Sequence, residues 1–328
     1  MEDNELELIS TGVLSGDRTW TSKAITLVES SNNSDIEIAN NLLETISQHT
    51  GTSVRVGITG SPGVGKSTFI DELGIYLTSI GHRVAVLAVD PSSSISGGSI
   101  LGDKTRMDRL AIDPNAFIRP SPSSGVLGGV SRGTRKTMLV LEAAGFDVIL
   151  VETVGVGQSE ATVAEMVDFF LLLLLPGSGD SLQGIKKGVL ELADLIAVNK
   201  ADGENELRAK QSARDYQSAM TLLSNTGSHW ATPVLTCSAL TGQGVTAIWD
   251  QINEHCANAQ ETGSWDKRRS EQQIRWMWSL VEDQLIYNLK NQTSISQIVS
   301  ETEKQIENGD LSPAAAAKKI LNLFKESS

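Results

Sequence analysis

The amino-acid sequence predicts an α/β fold in which helices flank a central, mostly parallel β-sheet, and three observations support this class. Short apolar runs alternate with segments of helical apolar spacing, as in chains of repeated strand–helix units. Residues 169–175 are apolar throughout, which is typical of a strand covered on both faces. A β-branched run at residues 54–59 leads through a glycine-rich bend into a helical segment at residues 69–77.

That glycine-rich bend has the spacing Gly-x-x-x-x-Gly-Lys-Ser, which is typical of a P-loop. A strand, a tight loop and a helix N-terminus in this order aim backbone N–H groups at one point, where the helix dipole also favours an anion. We therefore expect a polyphosphate here, with Lys66 bridging the outer phosphates and the Ser67 hydroxyl binding Mg²⁺. The predicted phosphate-binding residues are Gly60, Ser61, Pro62, Gly63, Val64, Gly65, Lys66, Ser67 and Thr68.

Two further strands and one long loop are predicted after the P-loop helix. Residues 83–89 form an apolar run that ends at Asp90, and residues 115–121 are predicted as a further short strand. The Ser/Gly-rich residues 92–102 lie between them, and a loop of this length in a compact domain is usually functional or disordered. We interpret it as a switch loop.

The strand predicted at residues 147–151 delivers Glu152 to the neighbourhood of the P-loop. A carboxylate at this position can hold Mg²⁺ through water, and the N–H of Gly155 can face a γ-phosphate. Val156 follows Gly155 where a Gln could orient the attacking water, so we expect slow intrinsic hydrolysis.

Guanine selectivity is predicted by the residues that follow the strand at 194–198. Asp202 can accept hydrogen bonds from the ring N–H and exocyclic amine of guanine, whereas adenine would leave this carboxylate unpaired. After a further strand at residues 234–236, a backbone N–H could reach the guanine carbonyl. The predicted base-binding residues are Asn199, Lys200, Asp202, Ser238, Ala239 and Leu240.

Helical segments extend the nucleotide domain at both ends. Residues 1–50 contain two predicted helices, at 18–30 and 35–48, and three helices are predicted after residue 265. We expect an N-terminal helical extension (1–50), a P-loop GTPase domain (51–262) and a C-terminal helical dimerisation arm (263–328). Packing within the chain would explain the apolar faces of the arm about as well as a subunit interface.

Composition excludes several classes of protein. The 328 residues include 27 Lys and Arg against 40 Asp and Glu, a formal net charge of −13, which disfavours nucleic-acid and anionic-membrane partners. Two separated cysteines, Cys237 and Cys256, suit a reducing cytosol. The acidic N-terminus does not resemble a secretory signal, and the apolar run at 169–175 is too short to span a membrane. A cytoplasmic location is expected.

Six stretches of the sequence together resemble the MeaB/ArgK-type GTPases, which belong with the metallochaperone-like P-loop GTPases. They are residues 60–68, 90–93, 97–107, 152–160, 183–188 and 199–202. The stretches around Asp103 and at 183–188 are more specific than a P-loop alone.

The resemblance implies a homodimeric GTPase chaperone that binds an adenosylcobalamin-dependent acyl-CoA mutase, most often methylmalonyl-CoA mutase. Such a protein gates cofactor loading and protects or reactivates the mutase. The resemblance also places Asp90, Asp103 and Glu152 near Mg²⁺, and makes residues 177–188 an additional switch loop.

Three cations are candidates to complete the hydrolytic site in the complex with the partner, namely Arg106, Lys186 and Lys187, and Lys186 is preferred. Each could equally be a solvated or partner-facing charge. Two alternative functions stay open, a kinase or ATPase associated with basic amino-acid transport and a nickel-insertion GTPase. The second needs soft ligands, and the chain offers only four His and two Cys.

Overall fold

A computed structural model describes residues 2–30, 32–90, 107–122, 127–153, 159–177, 187–223, 230–291 and 293–327. The chain divides into two compact units, Met1–Trp265 and Asp266–Ser328. The predicted switch loop at 92–102, together with Asp103, Arg106, Gly155, Val156 and Lys186, lies outside the described residues.

The first unit is built on a seven-stranded sheet in which every neighbouring pair of strands is parallel. The strand order is β3-β2-β4-β1-β5-β6-β7, so the P-loop strand β1 lies between β4 and β5. This arrangement confirms the predicted α/β class. The strands are β1 (Val54–Gly60), β2 (Val84–Asp90), β3 (Ala116–Pro122), β4 (Val148–Thr153), β5 (Phe169–Leu174), β6 (Leu195–Val198) and β7 (Val234–Thr236).

Helices precede the sheet, connect its strands and form the second unit. Helices α2, α3 and α4 were expected from the sequence, whereas α1 and α9 were not. In chain order the helices are α1 (Glu2–Leu14), α2 (Arg18–Glu29), α3 (Asn33–Ile46), α4 (Lys66–Ser79), α5 (Asp108–Ala111), α6 (Leu127–Ala143), α7 (Ser159–Ala164), α8 (Lys187–Leu192), α9 (Glu206–Leu223), α10 (Val245–Glu261), α11 (Ser264–Asn291), α12 (Thr293–Glu307) and α13 (Pro313–Ser327).

Alternate side chains along each strand pack on opposite faces of the sheet, so the core lies on both faces. In β4, Val148 and Leu150 pack in the cluster that includes residues of α4 and α10, while Ile149 and Val151 pack in the cluster that includes α6 and the N-terminal helices. Successive side chains of a strand point to opposite faces. Glu152 therefore falls on the same face as Val148 and Leu150, which is the face that α4 covers.

The N-terminal helices α1 to α3 belong to the first unit and share the second of these clusters with α6. An ion pair ties this layer to the sheet, because the Arg119 guanidinium on β3 lies 2.5 Å from the Glu29 carboxylate on α2. The helices therefore cover the β2–β3 side of the sheet rather than the nucleotide loop.

A buried carboxylate joins the start of β1 to α6. Glu142 accepts hydrogen bonds from the N–H of Gly51 at 2.7 Å, the Ser53 hydroxyl and the Arg55 guanidinium at 2.8 Å. Burial acts to raise the pKa of Glu142, but Arg55 and the other donors outweigh it and lower the pKa below the ordinary value. This group stabilises the edge of the sheet remote from the P-loop.

In the second unit, α12 and α13 contact each other, and Thr302 and Ala316 are buried. Helix α11 carries exposed large apolar side chains. Within the described ranges, the structure has no helix of the length and apolarity required to cross a membrane. The exposed apolar residues of α11 are Ile274, Met277, Trp278, Val281, Leu285, Ile286 and Tyr287.

Candidate nucleotide site

The P-loop connects the end of β1 to the first residue of α4. Three of its glycines adopt backbone conformations that side chains rarely tolerate, Gly60 with φ of 150°, Gly63 with φ of 80° and Gly65 with φ of 95°. A Cβ at Gly60 would lie 2.4 Å from the backbone oxygen of Leu173 on the adjacent strand β5. Glycine is therefore required where the loop leaves the sheet.

Side-chain donors hold carbonyl groups of the loop. The Lys66 ammonium donates to the oxygen of Gly60 at 2.8 Å, the Lys200 ammonium to that of Gly63 at 2.9 Å, and the Asn199 amide to that of Val64 at 2.9 Å. In a trans peptide the N–H points away from the carbonyl. The N–H groups that follow these carbonyls are thus turned away from the donors.

The N-terminus of α4 has no side-chain cap, since Gly65 occupies the N-cap position. The first N–H groups of a helix have no intrahelical acceptor and carry the positive end of the helix dipole. A bound anion can accept hydrogen bonds from these N–H groups and is stabilised by the helix dipole. The loop and the helix start therefore form a cradle of N–H groups suited to phosphates.

Two oxygen-bearing side chains meet beside this cradle. The Ser67 hydroxyl donates to the Glu152 carboxylate at 3.0 Å, and Glu152 is largely buried. This contact follows from the sheet, because Glu152 is in register with Ile58 of β1 and faces α4. A hydroxyl and a carboxylate are hard donors of the kind that Mg²⁺ prefers, so the pair fits a magnesium ion.

Asp90 ends β2, which neighbours β4, so its backbone lies at the same carboxyl edge of the sheet as Glu152. In the described part of the chain, His, Cys, Asp and Glu form no group of three or more that could hold a metal ion. A magnesium ion here would depend on phosphate and water ligands besides Ser67 and Glu152.

The second half of the site follows β6 and β7. The Ser238 hydroxyl donates to the Asp202 carboxylate, and the Ala239 N–H donates to the Asn199 side-chain oxygen at 3.0 Å. The Ser238 N–H is also bound, to the oxygen of Gln243 at 2.8 Å. The third candidate donor to the guanine carbonyl is the Leu240 N–H, which has no acceptor within the described residues. Leu240 is 80% exposed.

The structure thus brings the predicted phosphate and base residues together at the carboxyl ends of β1, β4, β6 and β7. Lys200 holds the P-loop rather than lying free beside the base. Asp103, Arg106 and Lys186 lie outside the described residues, and of Asp90 and Lys187 the structure describes the backbone. One residue that sequence reasoning did not select is Cys237, whose thiol lies 3.6 Å from the Asn199 side-chain oxygen.

A parallel sheet with a P-loop after its central strand, a carboxylate on the neighbouring strand and an Asn-Lys-x-Asp turn after β6 defines the class of P-loop GTPases. The comparison with family models agrees, since residues 21–294 match the model of the methylmalonyl-CoA mutase-associated GTPase MeaB. The chain belongs to the MeaB family.

Curated relatives extend over nearly the whole chain. "Probable GTPase Rv1496" of Mycobacterium tuberculosis is 52% identical over 98% of this chain and 96% of its own length. "GTPase ArgK" of Escherichia coli is 44% identical over 93% of this chain and 92% of its own. "Methylmalonic aciduria type A homolog, mitochondrial" of Mus musculus is 44% identical over 99% of this chain and 80% of its own.

A solved structure has the same fold over its full length. The crystal structure titled "LAO/AO transport system kinase" is 35% identical to this chain, covers 99% of both chains and superposes with a TM-score of 0.77. The α/β architecture is therefore shared with a protein of known structure.

Proposed function

We propose that this protein binds GTP with Mg²⁺, hydrolyses it slowly, and uses the cycle to gate adenosylcobalamin loading and to protect or reactivate an acyl-CoA mutase. The observation that carries the nucleotide part is the Asn199 bridge, which joins the Asn-Lys-x-Asp turn to the P-loop in one site. The mutase part rests on family membership and on the name of the mouse relative.

The phosphates of GTP lie in the N–H cradle at Gly60–Thr68. Lys66 moves its ammonium from the Gly60 carbonyl toward the outer phosphates, where charge develops during transfer. Ser67 and Glu152 would hold the magnesium ion, which would supply positive charge to neutralise those phosphates. As the family resemblance implies, Asp90 and Asp103 would join this set.

The guanine base lies against Asp202. Its carboxylate is oriented by Ser238 and accepts from the ring N–H and exocyclic amine of guanine, while the Leu240 N–H donates to the guanine carbonyl. Adenine presents neither of these two donors to Asp202, and it carries an amine where guanine has the carbonyl acceptor. GTP is therefore preferred over ATP.

Binding of the mutase completes the hydrolytic site by bringing a cation of this chain to the transferring phosphate. Arg106, Lys186 and Lys187 are the candidate cations, and Lys186, directly before α8, is the preferred one. A cation supplied to the transferring phosphate increases the rate by about 10³–10⁵. The free protein is accordingly slow, and the mutase stimulates it.

The experiment measures GTP turnover with and without an adenosylcobalamin-dependent methylmalonyl-CoA mutase. The wild type should be stimulated by the mutase, and Lys186→Ala should lose the stimulation while keeping its GTP affinity. Lys210→Ala is a matched control, since Lys210 forms an exposed i,i+4 pair with Glu206 at 2.6 Å. Absence of stimulation in the wild type would refute the mutase role, and unchanged stimulation in Lys186→Ala would remove this residue alone.

Dimerisation through the C-terminal arm is part of the same proposal. Helix α11 exposes an apolar stripe in which Met277, Trp278, Val281 and Leu285 recur at helical spacing. Aromatic residues and Met are enriched in subunit interfaces, and a second copy of this helix would cover the stripe. Trp278→Glu should convert the dimer to a monomer in light scattering, whereas Leu222→Glu, at an 88% exposed position on α9, should not.

A further inference from the structure

The side-chain amide of Asn199 lies between the base loop and the phosphate loop. Its nitrogen donates to the Val64 oxygen at 2.9 Å, and its oxygen accepts from the Ala239 N–H at 3.0 Å and from the Cys237 thiol at 3.6 Å. An amide presents donors on one side and an acceptor on the other. Two donors directed at the oxygen therefore fix which side faces the P-loop.

This orientation determines the shape of the phosphate cradle. The bond to the Val64 oxygen sets the plane of the peptide between Val64 and Gly65, so the Gly65 N–H points away from Asn199. The same amide nitrogen lies 2.9 Å from where a Cβ of Gly65 would be. A flipped Asn199 would place its oxygen against the Val64 oxygen and release this peptide.

The backbone of Cys237 is held independently of its side chain. Its N–H donates to the Val198 oxygen at 2.9 Å, and its oxygen accepts from the Ala201 N–H at 2.9 Å. The side chain is 1% exposed, so water does not replace the thiol. Burial raises the pKa of Cys237 to about 12, and the thiol therefore keeps its proton at neutral pH.

We infer that Cys237 is a positioning residue of the nucleotide site, whose thiol holds the Asn199 amide in the orientation that directs the Gly65 N–H toward the phosphates. The inference rests on the proposed function in that GTP or GDP is the ligand of the cradle. It assigns to the residue directly after β7 a role in phosphate binding, although β7 is separated from β1 by β5 and β6.

The test compares substitutions that keep or remove the donor while keeping the core filled. Cys237→Val removes the donor, fills the site with an apolar side chain and adds about one methyl group, and Cys237→Ser restores a donor. Cys256→Val is the matched control, because Cys256 is buried in the same core cluster but belongs to α10. The readouts are the dissociation rate and affinity of a fluorescent GDP analogue, kcat for GTP, and the thermal unfolding midpoint.

Cys237→Val should release GDP about three- to tenfold faster than the wild type, with kcat within about twofold, because a hydrogen bond to a buried amide is lost. Cys237→Ser should return to within about twofold of the wild-type rate, and Cys256→Val should not depart from it. Equal rates in Cys237→Val and Cys256→Val would overturn the inference and leave GTP binding intact. Failure of the wild type to bind guanine nucleotides would overturn the proposed function as well.

A second measurement, NMR of the GDP complex, reports the orientation of the Asn199 amide directly in the wild type and in the two Cys237 variants. In the GDP complex, the Asn199 side-chain NH₂ should give a protected, shifted pair of amide resonances, because one N–H is bound to the Val64 oxygen. Cys237→Ser should preserve that pair, and Cys237→Val should broaden it or move it toward the solvent-exposed position. An unchanged pair in Cys237→Val would show that Ala239 alone orients the amide and would overturn the inference.

Discussion

Replacing Asp202 by Asn changes the base specificity in a direction that the structure defines. The Ser238 hydroxyl donates to the carboxylate, so an Asn here would keep its oxygen toward Ser238 and turn its NH₂ toward the base. The NH₂ of this Asn would then face the ring N–H and the exocyclic amine of guanine, so that donors face donors and no hydrogen bond forms. Xanthine carries an acceptor in place of the exocyclic amine and would pair with that NH₂.

The magnitude follows from the two hydrogen bonds lost. A hydrogen bond to a charged group contributes about 1.5–3 kcal/mol, so losing two weakens GTP binding by about 10²-fold or more. The affinity for xanthosine triphosphate should rise over the same range. Competition against a fluorescent GDP analogue measures GTP, xanthosine triphosphate and ATP on one scale.

A matched control makes the same Asp-to-Asn substitution at a position outside the nucleotide site. Asp215→Asn on α9 removes an exposed carboxylate that accepts from Gln211 at 2.9 Å, and it should leave GTP affinity within about twofold. A fall of less than about threefold in GTP affinity for Asp202→Asn, or xanthosine triphosphate binding no tighter than GTP, would refute the assignment of Asp202 to the base.

Three further predictions follow from contacts elsewhere. Lys66→Ala should lower kcat for GTP by about 10² or more, because it removes a preorganised charge from the phosphates, and single-turnover hydrolysis would show this. Gly65→Ala should weaken GDP binding measurably in titration calorimetry, because φ of 95° and the Asn199 amide at 2.9 Å both oppose a Cβ. Glu142→Gln should reduce the free energy of unfolding by about 3–5 kcal/mol in denaturant, because Arg55 loses its buried partner. The deficit should shrink as pH falls below the ordinary carboxyl value of 4.5, since a carboxylate with a lowered pKa stabilises the fold above that range and loses its contribution in acid. A deficit that is constant down to pH 3 would contradict the ion-pair explanation.

The strands of the sheet could be predicted from the sequence because most are strongly apolar and end in recognisable turns. The strand predicted at residues 234–236 is β7, and the apolar run at 169–175 contains β5. Helix α1 was missed because the acidic residues at the N-terminus were used only to argue against a secretory signal, and no helical spacing was recognised there. Helix α9 was missed because more than half of its residues are polar, although its buried residues Ala209, Tyr216 and Met220 recur at helical spacing.

The motifs could be located from the sequence, but the contacts between them could not. The bond between Ser67 and Glu152 spans 85 residues, and that between Asn199 and Val64 spans 135. Both depend on the order of strands in the sheet, which places β4 beside β1 and positions β6 and β7 on its other side. For the same reason Cys237 gave no signal, since a cysteine before Ser238 is informative only once Asn199 is known to lie beside it.

The central claim is that one cradle, joined to the Asn-Lys-x-Asp turn by Asn199, binds a guanine nucleotide in preference to any other. The most direct measurement is displacement of a magnesium-bound fluorescent GDP analogue from the purified protein by GTP and by ATP. We predict that GTP displaces it at concentrations at least about 10²-fold lower than ATP does. Equal displacement by ATP would contradict the account.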